Sequence, residues 1–165
     1  PQPELLILDD PTLGLDTVVR REFLESMIQI IQREGRTIMF SSHILGDVER
    51  VADRIGIMVD GRLQVDCTTE EFKQSVSKLV LEFDRPVNGS IVFPECKGVV
   101  GSRSILNQLE VIVVNLNDEH RLLAERLEPK QIETESMNLE DSFLEYTRTN
   151  RKSVPVFVDQ LKSHS

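Results

Sequence analysis

The feature that most constrains this chain is the segment 5–16, which reads LLILDDPTLGLD. Four apolar residues run directly into two adjacent carboxylates, Asp9 and Asp10, and a third acid follows a proline and a glycine. A short continuous apolar run is typical of a strand buried on both faces of a parallel sheet. Because buried unpaired carboxylates are costly, acids at the carboxyl end of such a strand usually face a ligand crevice. The segment therefore predicts a site for a nucleotide phosphate and Mg²⁺.

The next elements complete a strand–helix–strand unit. Apolar residues at i, i+4 spacing predict a helix over residues 18–34, which Asp16 or Thr17 caps and Gly35 ends. The following run at 37–40 reads TIMF and predicts a second buried strand. Two strands joined by a helical crossover are expected to lie parallel.

The second strand also ends in polar side chains, the sequence SSH at 41–43. Since the carboxyl ends of neighbouring parallel strands meet at one edge of a sheet, Asp10 and His43 are expected to face the same crevice. Read as isolated features, the acid pair is equally compatible with a helix cap and a salt-bridge partner, and the histidine with a surface or core residue.

The remaining elements follow from turn and cap signals. Asp60-Gly61 is typical of a hairpin turn and predicts an antiparallel edge added to the first sheet. A change in composition after residue 72 predicts a small α+β domain with half-buried strands, and residues 150–165 form a predicted flexible tail. The predicted helices are 45–52, 68–77, 120–127 and 139–148, the predicted strands are 54–59, 62–66, 78–84, 107–116 and 131–137, and 92–100 is irregular.

Charge and composition exclude several classes of function. The net charge of −9 argues against nucleic-acid binding, because phosphate contacts require clustered Lys and Arg. Cys67 and Cys96 are isolated and are interpreted as reduced thiols, and the three histidines are too scattered to predict a zinc site. No apolar run approaches the roughly 18 residues of a membrane span, so any link to a membrane is expected through a partner.

Four motifs in order resemble the ATP-binding-cassette (ABC) ATPases. Segment 5–16 resembles the Walker B strand and D-loop, 41–43 resembles the histidine switch, and 52–62 resembles the segment that follows it. Residues 138–145 look like the closing helix of an exporter subfamily with an additional carboxy-terminal domain. The resemblance implies an α/β fold, a partial P-loop NTPase parallel sheet with flanking helices over 1–72, followed by the α+β domain at 73–149.

The same resemblance implies roles for individual residues. Asp9 would hold Mg²⁺ through bound water, and Asp10 stands where the family has its general base. His43 would hydrogen-bond the γ-phosphate of ATP and stabilise the charge that develops on it. Nucleotide or subunit-interface positions are expected at Gly14, Asp16 and Ser42, with Asp16 facing the second subunit of a head-to-tail dimer.

Two departures from the family bear on activity. The family has Glu at the position of Asp10, and the shorter side chain moves the carboxylate about 1 Å, a misplacement that can cost about 10²-fold in rate. No phosphate-binding loop of the form G-x-x-x-x-G-K-[ST], Gly-rich signature segment or glutamine loop occurs in the sequence, which starts at Pro1 like a cut through a longer protein. This chain alone is therefore expected to bind ATP weakly or not at all.

The leading hypothesis is the carboxy-terminal part of the ATPase subunit of an ABC-type exporter. Its partners would be a transmembrane permease and a second ATPase subunit, and its place the cytoplasmic face of the cell membrane. The alternative is a truncated or degenerate module that regulates or docks without catalysis. A third class, the phospho-acceptor receiver domain, also pairs acids at a strand end, but needs an Asp where this chain has residues 41–43.

Overall fold

The computed structural model describes residues 3–87, 89, 91–148 and 157–158. The chain divides into two compact units, Pro1–Ala52 and Asp53–Ser165. This division precedes the domain boundary predicted after residue 72, because the elements from residue 53 onward make their contacts within the second unit. The boundary at 72 stays a prediction about the family's domain organisation.

The first unit is the predicted βαβ unit with one further helix. Its elements are β1 (Leu5–Leu8), α1 (Thr17–Glu34), β2 (Thr37–Phe40) and α2 (Leu45–Val51). The two strands pair in parallel, which confirms the prediction, and Leu8 lies opposite Phe40. Asp16 caps α1 by accepting hydrogen bonds from the backbone of Val18 and Val19 at 2.9 and 3.0 Å.

The two parallel strands are less buried than predicted. Exposed and half-buried side chains alternate along both strands, and Ile7 and Met39 are 68% and 63% exposed. The prediction of strands buried on both faces is therefore wrong for this chain. Within the described residues β1 pairs only with β2, and the side chains of Leu5, Ile7 and Met39 on one face of this sheet are exposed.

The second unit contains the remaining elements. They are β3 (Arg54–Val59), β4 (Arg62–Thr68), α3 (Thr69–Ser75), β5 (Val76–Glu82), β6 (Val99–Ile105), β7 (Gln108–Val114), α4 (Asp118–Glu125), β8 (Gln131–Ser136), α5 (Leu139–Arg148) and β9 (Phe157–Val158). They form a three-stranded sheet in the order β3-β4-β9 and a four-stranded sheet in the order β6-β7-β5-β8.

The β3–β4 hairpin is antiparallel and turns at Asp60 and Gly61, whose φ angles are 50° and 76°. Positive φ at both positions is what a two-residue hairpin turn of type I′ requires, so the turn prediction is confirmed. The hairpin does not extend the first sheet as predicted. In the described part of the chain its hydrogen-bonded neighbour is β9, which pairs with Val65 and Asp66.

The four-stranded sheet has its core on the face that carries Leu79 and Val111, where Ala124 of α4 packs against it. On the opposite face α5 packs over β5 and β6. The central strands β5 and β7 are thus largely buried, which corrects the prediction of half-buried strands. Strand β6 begins within the stretch 92–100 that was predicted to be irregular and continues past its end. Its sequence VVGSRSI lacks a strong strand pattern.

The predicted flexible tail at 150–165 lies outside the described residues, except for Phe157–Val158 in β9.

Candidate functional site

The candidate site lies where β1 and β2 end side by side. Asp9 and Asp10 follow β1 directly, and Ser41 follows β2. The backbone N–H of Ser41 donates to the carbonyl of Leu8 at 3.0 Å, which extends the parallel pairing by one residue. The sequence-predicted juxtaposition of the two polar clusters follows from this in-register pairing.

Ser41 connects the two acids. Its hydroxyl accepts a hydrogen bond from the backbone N–H of Asp10 at 2.9 Å and donates to Oδ1 of Asp9 at 2.5 Å. A hydroxyl can do both because it carries one donor and two acceptor positions. Ser41 thereby fixes the direction of the Asp9 carboxylate relative to the backbone that carries Asp10.

Asp10 and His43 form the second contact of the site. Nδ1 of His43 lies 2.6 Å from Oδ2 of Asp10, and the two side chains are 61% and 26% exposed. The backbone of Asp10 is left-handed, with φ of 43°, and its carbonyl accepts from the backbone N–H of Leu13 at 3.0 Å. Aspartate adopts this conformation more readily than most residues. The strained turn directs the carboxylate toward the histidine.

The second oxygen of the Asp10 carboxylate is without a partner. Oδ1 is buried and makes no hydrogen bond within the described residues, whereas Oδ2 is occupied by His43. A buried carboxylate oxygen that lacks a donor is costly, and a bound water is the ordinary solution. The position is compatible with a water that Asp10 would polarise.

The donor set fits Mg²⁺ only with additional ligands. Among the residues that the structure describes, no three His, Cys, Asp or Glu side chains converge as a self-sufficient metal centre. Mg²⁺ is commonly held by one or two carboxylates together with water and substrate phosphates. Asp9 meets that requirement, so it would hold the ion as part of a nucleotide complex.

The other predicted positions make local contacts. Asp16 caps α1, as described above, and Gly14 has φ of 78° with open space around the position of a Cβ atom. The hydroxyl of Ser42 accepts from the backbone N–H of Ile44 at 3.0 Å, at the start of α2. The assignment of these three residues to a nucleotide or subunit interface stays a prediction.

Two features of the site were missed from the sequence. One is Ser41, because the prediction selected its neighbour Ser42. The signal for Ser41 was its position directly after the last residue of the second strand. The other is a buried contact in which Oγ1 of Thr12 donates to Oδ2 of Asp47 at 2.9 Å, with Arg20 beside it. Thr12 and Asp47 are 35 positions apart in the sequence, so no local pattern would reveal this contact.

Comparison with known proteins finds relatives whose descriptions agree with one another. The chain is 29% identical over 148 residues to the ABC transporter ATP-binding protein YtrB of Bacillus subtilis, covering 87% of this chain and 48% of the relative. It is 30% identical over 156 residues to the uncharacterized ABC transporter ATP-binding protein YcbN of the same organism, covering 90% and 50%. The chain thus spans about half the length of each.

A shorter segment is more similar to a third relative. Over 61 residues, 37% of this chain and 26% of the relative, the identity to the lantibiotic transport ATP-binding protein SrtF of Streptococcus pyogenes is 51%. No protein-family profile matches the chain. Within the described residues, no helix has the length and apolar character needed to cross a membrane.

Proposed function

The chain belongs to the family of ABC transporter ATP-binding proteins, and from this premise we propose that it forms the water-activating edge of an ATP site in the ATPase subunit of an ABC-type exporter. The single observation that carries the proposal is the convergence of Asp9, Asp10, Ser41 and His43 at the ends of two parallel strands.

Each residue of the site has its own proposed role. Asp9, whose direction Ser41 fixes, would hold Mg²⁺ through water, and the ion would neutralise charge on the phosphates. Asp10 would take the nucleophilic water on its unpartnered Oδ1 and accept its proton. His43 contacts Asp10 through Nδ1, and its other ring nitrogen, Nε2, would donate to a phosphate oxygen when it too carries a proton, since an unprotonated ring nitrogen only accepts.

The phosphate-binding loop belongs, in this proposal, to a part of the subunit outside these 165 residues. The sequence contains no G-x-x-x-x-G-K-[ST] segment, and the relatives are about twice as long as the matched region. Backbone amides and a lysine in such a loop normally hold the triphosphate. The partners we propose are a transmembrane permease and a second ATPase subunit, with the complex at the cytoplasmic face of the membrane.

A second candidate is a subunit that binds nucleotide and regulates or docks but hardly hydrolyses it. Asp10 favours this candidate, because its side chain is one methylene shorter than the glutamate of the family and one of its oxygens is occupied by His43. The relative that is named for lantibiotic transport supports membership in a transport system but does not distinguish the two candidates.

The test is steady-state hydrolysis of Mg-ATP by the purified full-length subunit. Loss of the base in Asp10→Asn is expected to lower kcat by about 10²-fold or more, and His43→Ala by a similar factor, since each supplies a general-base or charge-stabilising contact. Asp60→Asn is the matched control, because Asn tolerates the positive φ of that turn. Turnover of Asp10→Asn equal to that of the unmodified subunit would contradict the proposal.

A further inference from the structure

We propose that Thr12 and Asp47, with Arg20 beside them, act as positioning residues that hold Asp10 in contact with His43. The Asp10–His43 contact is a property of the structure, and only its effect on turnover rests on the proposed function. Thr12 is 2% and Asp47 7% exposed, whereas the Asp10–His43 pair lies at the surface. The Thr12–Asp47 contact is thus shielded from solvent and the Asp10–His43 contact is not fully shielded.

The buried contact is a charge-assisted hydrogen bond. Oγ1 of Thr12 donates to Oδ2 of Asp47 at 2.9 Å, and Nε of Arg20 on α1 lies 3.7 Å from Oδ1 of the same carboxylate. Hydrogen bonds to an ionised acceptor are about twice as strong as neutral ones. Because burial of an unpaired carboxylate is costly, Asp47 requires these partners and fixes their positions in return.

The contact joins the same two segments that carry Asp10 and His43. Thr12 follows Asp10 by two residues in a tight turn, in which the N–H of Leu13 donates to the carbonyl of Asp10 at 3.0 Å. Asp47 follows His43 by four residues along the chain and lies in the first turn of α2. Fixing Thr12 against Asp47 therefore limits the distance between the side chains of Asp10 and His43, whose own contact is partly exposed.

Exposure limits what the Asp10–His43 pair can do unaided. A partly exposed pair of polar side chains contributes little, because water competes for the hydrogen bond and ordering two side chains costs entropy. A contact of this kind stays formed in a large fraction of molecules only if the backbone places both partners in advance. The buried Thr12–Asp47 contact supplies that placement.

The first test is nitrogen NMR of the histidine rings in the 165-residue chain. In the unmodified chain the neutral ring of His43 is expected to carry its proton on Nδ1, donated to Asp10. Thr12→Val removes the hydroxyl at nearly constant volume and should shift His43 toward the mixture of tautomers of a free imidazole, whereas Thr12→Ser should restore it. His120 is an internal reference, because its ring nitrogens are held by Lys97 and Asn117.

Thr37→Val is the matched control, since Thr37 is exposed on β2. An unchanged His43 spectrum in Thr12→Val, with His120 intact, would overturn the proposal and leave Thr12 a purely structural residue. If Thr12→Val loses the His120 reference signal through unfolding, Asp47→Asn decides. It keeps an acceptor for Thr12 and loses the charge facing Arg20, so a smaller shift of His43 is expected and no shift would overturn the proposal.

The second test is hydrolysis by the full-length subunit. Thr12→Val should lower kcat by up to about 10²-fold, the scale of a 1 Å misplacement, with KM for ATP unchanged, and Thr12→Ser should recover activity. If Thr12 acts through Asp47, Thr12→Val combined with Asp47→Ala should be no slower than Asp47→Ala alone. Additive losses would overturn the mechanism. An inactive unmodified subunit would contradict the proposed function while the NMR result stands independently.

Discussion

Asp10 is the residue on which chemistry and geometry make opposing demands. Its left-handed backbone directs the carboxylate to His43, and its short side chain limits how far that carboxylate reaches. Oδ1, which makes no hydrogen bond to any described residue, is the atom we assign to the nucleophilic water. The proposed role of Asp10 therefore depends on one methylene group and on one carboxylate oxygen.

The substitution Asp10→Glu tests that methylene directly. We expect kcat of the full-length subunit to rise, by up to about 10²-fold, because the added methylene moves the carboxylate about 1 Å toward the water. Steady-state hydrolysis of Mg-ATP at saturating ATP measures it. An unchanged kcat would contradict the role of Asp10 as a general base whose short side chain limits the rate.

At the scale of elements, the helix ends that frame the site follow rules readable from the sequence. Gly35 ends α1 with φ of 61° and donates its N–H to the carbonyl of Ile31 at 3.1 Å. Asp16 begins the same helix. These two residues determine where α1 begins and where it ends.

Two glycine substitutions in the first unit are expected to act in opposite directions. Gly35→Ala should lower the free energy of unfolding by about 1 kcal/mol, because a Cβ atom disfavours the left-handed conformation. Gly46→Ala, in the exposed first turn of α2 with open space around it, should raise it by up to about 1 kcal/mol through helix propensity. Urea unfolding of both variants checks this, and equal signs would contradict it.

The capping box of α3 gives a pH dependence. The carboxylate of Glu71 accepts from the hydroxyl and the backbone N–H of Thr68, and these hydrogen bonds lower its pKa from the ordinary value. A lowered folded-state pKa contributes stability above the ordinary carboxyl pKa of about 4.3, and this contribution is lost as the pH falls through the folded value.

As the pH falls below about 4.3, the stability of Glu71→Gln is therefore expected to decrease less than that of the unmodified chain. Thermal unfolding between neutral and acidic pH measures the effect. Glu70→Gln removes a charge from the same turn and leaves the capping box intact, so it serves as the control. A Glu71→Gln variant with the acid dependence of the unmodified chain would show that the capping box does not contribute.

Elements with strong local signals were predictable, whereas contacts between distant residues were not. The Asp60-Gly61 turn and the Asp16 and Gly35 helix ends follow from backbone preferences of single residues. Strand β6 was missed because its pairing with β7, rather than its own polar sequence, makes it a strand. The Thr12–Asp47 contact depends on the packing of two segments, which single-sequence patterns do not encode.

At the scale of the whole molecule, the contact between Asp10 and His43 was predicted better than the burial around it. Motif spacing places Asp10 and His43 at the ends of adjacent strands regardless of what covers the sheet. Burial depends on every neighbour, and the apolar side chains of Leu5, Ile7 and Met39 on one face of the sheet are exposed. The chain also spans only about half of its relatives, so the family pattern describes more surroundings than these residues provide.

The central claim is that these residues form one edge of an ATP site without the part that holds the triphosphate. Isothermal titration of Mg-ATP into the 165-residue chain tests it, with the full-length subunit titrated in parallel. We predict micromolar affinity for the full-length subunit and no affinity in that range for the chain alone, since the carboxylates and the histidine give no cradle for phosphates. Micromolar binding of Mg-ATP by the 165-residue chain would contradict the claim.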